Sequence, residues 1–347
     1  MKVGINGGLT AGNAEYLSRL GVSLYRHGVN WTDLESPTDP AVFNAEGLDE
    51  LARLISGTSC RWLAVLNGPI FDSCQYASVR GDFSQLNKIP GFLRFLETFA
   101  ERHDSSVWAY ESWNGMDCWE GGPEAYAKFT AGVIQRVRSV RPQAKFIAGS
   151  MFNVNVDLYR RMFEAGLLDS GIDYLGVFIY YLNWNIVNPD LAVLDVAREL
   201  SVLERLKRKY GGGDIPIVVT EVGMPSLHDA SNWTSQRFPA WTRDPPVPWA
   251  RQAELLPAFL SAFETLGVPT SFVHCLSDWP AAFDRPLESD TFWGDWCGLL
   301  DKAGTPKPAW HSVQRFCTGS ASPSRTKLFI GPDGTCKGIR LSREPGR

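Results

Sequence analysis

Eight times along this chain a short run of β-forming residues is followed by a longer run with helical periodicity, and no other feature narrows the possible folds as far. Strands are expected near Val3 to Asn6, Ser23 to Val29, Trp62 to Leu66, Val107 to Trp113, Lys145 to Gly149, Tyr174 to Tyr180, Ile215 to Glu221 and Thr270 to Leu276. Strand–helix alternation makes the strands parallel and each helix a crossover, and eight such units close a (β/α)8, or TIM, barrel. The helical runs agree with this reading. Ala125, Phe129, Val133, Val137 and Val140 share one face after Gly121-Gly122-Pro123, and Leu255, Phe259, Ala262, Phe263 and Leu266 form a second stripe closed by Gly267 and Pro269.

The 347 residues suit one such α/β barrel with an appendage, because barrels of this kind exceed the usual domain size. The barrel is expected over residues 1–317. Residues 318–347 are Ser/Pro-rich and then β-like around the turn signal Pro332-Asp333-Gly334, which reads as a tail or hairpin. Two connections are unusually long, from Gly223 to Trp249 and from Ser277 to Trp296. Both follow strands, so they are expected to rise from the carboxyl face, where barrel enzymes carry their sites.

Charge and composition exclude several partners. The 34 basic and 38 acidic residues give a net charge of −4, and they are interspersed without the basic stripe that a nucleic-acid binder needs. The chain is 44% hydrophobic and 21% charged, with no apolar run long enough to span a bilayer, so a soluble protein without a membrane partner is expected. Met1 leads directly into Lys-Val-Gly-Ile-Asn with no apolar signal core. The expected location is therefore cytoplasmic, or extracellular for a mature form from which a signal was removed. Seven cysteines form no CxxC pair and no zinc-type spacing, so neither a metal nor another cofactor is expected. Reduced, mostly buried thiols fit that pattern, with a Cys74–Cys118 pair as the alternative in an oxidising compartment.

Of the 13 tryptophans, Trp31, Trp113, Trp119, Trp184, Trp233, Trp279 and Trp296 fall where strand ends or the following loops are expected. Aromatic faces placed there suggest a stacking surface, with Trp31, Trp184 and Trp279 as binding candidates. The run from Ile215 to Gly223 is an apolar strand that ends in a carboxylate, Glu221. An acid at the carboxyl end of a buried strand has either a salt-bridging role or a chemical one.

The motifs around it decide between these. Val107-Trp108-Ala109-Tyr110-Glu111-Ser112-Trp113-Asn114 resembles the fourth-strand motif of the clan of retaining barrel glycoside hydrolases that includes cellulases, mannanases and β-xylosidases. Val219-Thr220-Glu221-Val222-Gly223 is similar to that clan's seventh-strand nucleophile motif. Ser277-Asp278, Gly298-Leu299-Leu300-Asp301 and Pro306-Lys307-Pro308-Ala309-Trp310 resemble its eighth-strand end. The resemblance implies an oligo- or polysaccharide substrate with a β linkage and Glu221 as nucleophile, kept ionised and aimed by hydrogen bonds from Arg26 and Tyr180. It gives Asn114 the hydroxyl beside the reacting carbon, and it places Asp278 with Trp279 at the substrate. Arg26 has the alternative of pairing with Glu111, and Tyr180 that of lying in the core.

The chain departs from the pattern at Gly115, where the clan has the glutamate that protonates the leaving oxygen. An engineered loss, an acid supplied from elsewhere and a binding protein without hydrolytic activity are the three explanations. Asp117 and Glu120 are the nearest substitutes in sequence, with Asp278 a further one. Phe178 and His274 stand near positions where the clan has a histidine and a tryptophan. A catalytically inactive carbohydrate-binding protein on the same fold is therefore the alternative to a glycosidase. A barrel acting on phosphorylated metabolites fits less well, because the loops after the seventh and eighth strands are tryptophan-rich instead of glycine-rich.

Overall fold

The structure, a computed structural model, describes residues 1–31, 45–67, 90–118, 121–180, 189–228, 246–278, 296–320, 326–332 and 336–341. Its strands in chain order are β1 (Lys2–Asn6), β2 (Leu24–Asn30), β3 (Arg61–Asn67), β4 (Val107–Glu111), β5 (Phe146–Ala148), β6 (Tyr174–Tyr180), β7 (Ile217–Gly223), the short β8 (Ser226–Leu227) and β9 (Val247–Pro248), β10 (Thr270–His274), β11 (Thr326–Ile330) and β12 (Cys336–Leu341). The helices are α1 (Ala14–Leu20), α2 (Glu46–Ser56), α3 (Pro90–His103), α4 (Gly122–Val140), α5 (Val156–Glu164), α6 (Pro189–Lys209), α7 (Trp249–Thr265) and α8 (Pro308–Cys317). Eight strands form a closed barrel in the order β1-β10-β7-β6-β5-β4-β3-β2, so every expected strand is present. β7 begins two residues later than expected because Pro216, which has no N–H to donate, precedes it.

Contact density divides the chain into two units: Met1–Ser23, Ile179–Val202 and Val219–Arg347 form the first, and Leu24–Phe178 with Leu203–Val218 the second. In the second unit β2 and β3 pair in unbroken parallel register from Leu24↔Arg61 to Asn30↔Asn67. Phe129, Val133 and Val137 of α4 are buried as their spacing requires, whereas Ala125 and Val140 are half-exposed. The buried face is widened by Tyr126, Thr130 and Ile134, and the Tyr126 hydroxyl accepts from Gly149 N at 2.8 Å and meets Ser112 Oγ at 2.9 Å. Polar links therefore anchor a largely apolar helix to the carboxyl ends of β4 and β5.

In the first unit Leu255, Phe259, Ala262 and Phe263 of α7 are buried, and Gly267 adopts a left-handed φ of 78° where the chain turns toward β10. α8 starts with Pro308 as its first residue, where a missing N–H costs nothing, and Trp310 packs edge-on to Tyr16 at 6.0 Å. The barrel is followed by the antiparallel pair β11–β12, and Cys336 N donates to Ser201 Oγ of α6 at 2.7 Å. Cys60, Cys275 and Cys297 are buried and Cys317 and Cys336 half-exposed, and these five form no disulfide among the described residues. Cys74 and the Cys118 side chain lie outside the described residues. Among the described residues no helix is long and apolar enough to cross a membrane.

His103, at the end of α3 in the second unit, is buried against Trp62 and Phe99. Burial holds its pKa below the usual imidazole value, with Asp49 at 3.6 Å opposing the effect. The folded chain therefore keeps this imidazole neutral, while the unfolded chain takes up a proton near pH 6.5. Its contribution to stability is complete above about pH 6.5 and declines as the pH falls below that. Melting curves at pH 7.5 and 5.5 are expected to differ less for His103→Phe than for the parent chain.

Candidate active site

Four side chains of the first unit, each at or near the end of a strand, converge: Asn6, Tyr180, Glu221 and His274. β7 is buried from Ile217 to Gly223, and its fifth residue, Glu221, is 7% exposed. Asn6, the last residue of β1, donates its Nδ2 to Glu221 Oε1 at 2.9 Å. Tyr180, the last residue of β6, donates its hydroxyl to Glu221 Oε2. Each carboxylate oxygen thus meets a donor from a different strand, which fixes the carboxylate in two directions. The same Asn6 Nδ2 lies 2.8 Å from Nδ1 of His274, the last residue of β10. The rings of Tyr180 and His274 meet edge-on with centroids 5.9 Å apart. Gly223 allows β7 and β10 to approach, since a Cβ there would lie 2.6 Å from the His274 carbonyl oxygen.

A second polar cluster of the first unit surrounds Asp278. Lys307 Nζ lies 2.8 Å from Asp278 Oδ1 and 2.7 Å from Oδ2, and Gly298 N donates to Oδ1 at 2.8 Å. Lys307 is fully buried and also donates to Ser226 Oγ at 3.3 Å. Burial pushes the Asp278 carboxyl up to about 6 against the opposing pull of Lys307. Both Asp278 oxygens are engaged in a buried pair that ties the segment after β10 to the start of α8. The Lys-Pro-Ala motif thus supplies the counter-ion as well as the helix start. Gly298 lies flush against this pair, as a Cβ would fall 2.0 Å from Asp278 N.

In the second unit Arg26, 2% exposed on β2, donates Nε to Glu111 Oε2 at 2.6 Å and Nη2 to Asn114 Oδ1 at 2.8 Å. Its guanidinium carbon stands 5.3 Å from the Phe178 ring centroid. The pairing with Glu111 is the alternative raised from sequence. Glu111 is fully buried, and its Oε1 has no hydrogen-bond partner among the described residues. Because Arg26 occupies Oδ1 of the exposed Asn114, that amide presents its N–H groups as donors.

Gly115, buried after Asn114, has φ 71°, a left-handed conformation in which an L side chain is strained. It leads into a single 3-10 turn, Met116–Cys118, that exposes Asp117, whose Oδ1 accepts from Phe152 N at 3.3 Å. Trp31 is 6% exposed and packs on Phe92 at 5.8 Å, with Gly91 so close that a Cβ would stand 2.8 Å from Trp31 Cζ2. Trp113 is 4% exposed and edge-on to Phe129. Both rings are buried against aromatic side chains of the neighbouring helices. Trp119, Trp184, Trp233, Trp279 and Glu120 lie outside the described residues, as does most of the two long connections. Trp296 is half-exposed, with Lys302 Nζ 4.0 Å from its ring centroid.

Asn6 and the contact of His274 are the parts that sequence reasoning missed. The available signal was an amide closing the apolar run Val-Gly-Ile, in the strand-end position that Glu221, Tyr180 and His274 occupy on their own strands.

The sequence matches no protein-family model and no curated protein. Solved structures share the fold. A family 39 glycoside hydrolase from Bacteroides cellulosilyticus WH2 is 15% identical with a TM-score of 0.66, over 95% of this chain and 66% of its own. A GH5_18 protein from Streptomyces cattleya in complex with Manb1-4GlcNAc is 15% identical with a TM-score of 0.65, over 96% of this chain and 86% of its own. The exo-beta-1,4-mannosidase Op5Man5 from Opitutaceae bacterium strain TAV5 is 17% identical with a TM-score of 0.59, over 92% of this chain and 59% of its own. The chain thus spans just under two thirds of the first of these and less of the last. At such identities the likeness establishes a common barrel fold.

Removing Lys307 leaves the Asp278 carboxylate buried without its cation. Lys307→Met is expected to cost about 3–5 kcal/mol in urea unfolding, and adding Asp278→Leu to recover most of that loss.

Proposed function

We propose that this chain is a retaining glycosidase that acts on a β-linked oligo- or polysaccharide through Glu221. The observation that carries the proposal is the buried Glu221 carboxylate at the end of β7, with Asn6 and Tyr180 donating to its two oxygens. A nucleophile must be held in one orientation before attack, and donors from two other strands give that constraint. The motif resemblance and the glycoside hydrolases among the structural neighbours point in the same direction.

In the proposed reaction the Glu221 carboxylate attacks the anomeric carbon, and the glycosidic oxygen leaves with the bonding electrons. A glycosyl ester on Glu221 results, which a second nucleophile opens with overall retention. Asn114, its amide oriented by Arg26, is the proposed donor to the neighbouring sugar hydroxyl. No side chain at Gly115 can protonate the leaving oxygen, and the φ of 71° argues that this backbone suits glycine. The acid is therefore assigned to another residue, with Asp117, exposed two residues further on, as the leading candidate.

The test uses 2,4-dinitrophenyl β-glycosides, whose leaving group departs without a proton. β-Mannosides come first, because a mannosidase and a Manb1-4GlcNAc complex are among the neighbours. Turnover of at least one glycoside is expected, with Glu221→Ala abolishing it. Asp117→Ala is expected to lower hydrolysis of an unactivated saccharide by about 10²–10⁴, the usual range for a lost general acid. In that variant azide, which needs no deprotonation, should accelerate dinitrophenolate release and yield a β-configured glycosyl azide. If no glycoside is turned over with or without azide, and Glu221→Ala leaves saccharide affinity unchanged, the chain binds carbohydrate without hydrolysing it.

A further inference from the structure

The amide of Asn6 touches two side chains through one nitrogen. Its Nδ2 lies 2.9 Å from Glu221 Oε1 and 2.8 Å from His274 Nδ1. A primary amide nitrogen carries two hydrogens and no available lone pair, so it donates in both directions. The opposite rotamer would bring the Asn6 carbonyl oxygen to about the same 2.9 Å from a carboxylate oxygen, setting acceptor against acceptor. The Glu221 carboxylate therefore determines which way the amide faces. The amide in turn determines the histidine: Nδ1 must accept, so the imidazole is neutral with its proton on Nε2.

The imidazole is held firmly enough to fix the amide in return. Asn6 and His274 are Cα partners in the parallel β1–β10 ladder, so the contact is set by strand register. Tyr180, which itself donates to Glu221, packs edge-on against the imidazole at 5.9 Å, and Gly223 leaves room for β10 to lie against β7. We propose that His274 is a positioning residue for Glu221, acting through Asn6: its Nδ1 lone pair locks rotation of the amide, which keeps one N–H aimed at Oε1. The role in catalysis rests on Glu221 being the nucleophile; the tautomer and the amide lock do not.

Two arms test this. In protein with 15N-labelled histidine, long-range 1H–15N spectra at pH 8 are expected to show His274 as the Nε2–H tautomer. The Asn6 side-chain NH2 is expected to give two separate signals protected from solvent exchange. Asn6→Leu should release the tautomer preference. His274→Leu should remove the NH2 protection, and His274→Asn, whose Oδ1 can stand where Nδ1 stood, should restore it. An Nδ1–H tautomer, or unchanged NH2 protection in His274→Leu, overturns the proposal, and this arm requires no activity.

In the second arm, the rate constant of the pre-steady-state burst of dinitrophenolate from whichever aryl glycoside the parent chain turns over is expected to fall about tenfold in His274→Leu, equivalent to about 1.4 kcal/mol, and to recover in His274→Asn. Equal burst rate constants in all three proteins, or equal losses in both variants, overturn the positioning role. If the first arm gives the expected spectra but no glycoside reacts with the parent chain, the glycosidase reading fails while the amide lock stands.

Discussion

A carboxylate at the end of a buried strand is the constraint around which the first unit is organised. Glu221 is 7% exposed and lies two residues before the end of a strand whose other residues are apolar or hydroxylic. A charge in that position is tolerated only when nearby donors replace the water it has lost. The donors come from Asn6 on β1 and Tyr180 on β6, with His274 on β10 orienting the Asn6 amide. Strand register and packing place each of them, so the barrel scaffold defines the direction in which the carboxylate faces.

The same unit has a second buried carboxylate with a different solution. Asp278 is paired to Lys307 and to the Gly298 N–H, and these bonds join β10 to the segment leading into α8. Two acids 57 positions apart in sequence are thus held differently: Asn6 and Tyr180 donate to the two oxygens of one, and a lysine pairs with the other. Donors on both oxygens fix the direction in which a carboxylate faces, which suits a nucleophile. An ion pair cancels the charge and suits a structural tie.

Much of this was legible in the sequence, and the failures have physical reasons. The eight strands were recoverable because buried parallel strands read as short apolar runs and their crossover helices as stripes of period 3.6. Glu221 and Tyr180 were legible from the motifs at the strand ends. Asn6 was not, because an asparagine after an apolar run reads equally well as a turn former. Trp31 was assigned to a stacking surface from its place after β2, but helix α3 carries Gly91 and Phe92 against it and buries the ring. The pairing of Asp278 was not legible, because Lys307 lies 29 residues further on, beyond the reach of any local pattern. The left-handed φ of Gly115 was equally invisible, although it bears directly on where the acid can come from.

The central claim is that Glu221 forms the covalent bond to the sugar. The most direct measurement is to incubate the protein with 2,4-dinitrophenyl 2-deoxy-2-fluoro-β-glycosides, whose fluorine slows release of the glycosyl-enzyme, and to map the adduct by peptide mass spectrometry. The account predicts one added fluorosugar on the peptide containing Glu221 and none in Glu221→Ala. Stoichiometric labelling of a different carboxylate, with Glu221→Ala labelled as fully as the parent chain, would contradict it.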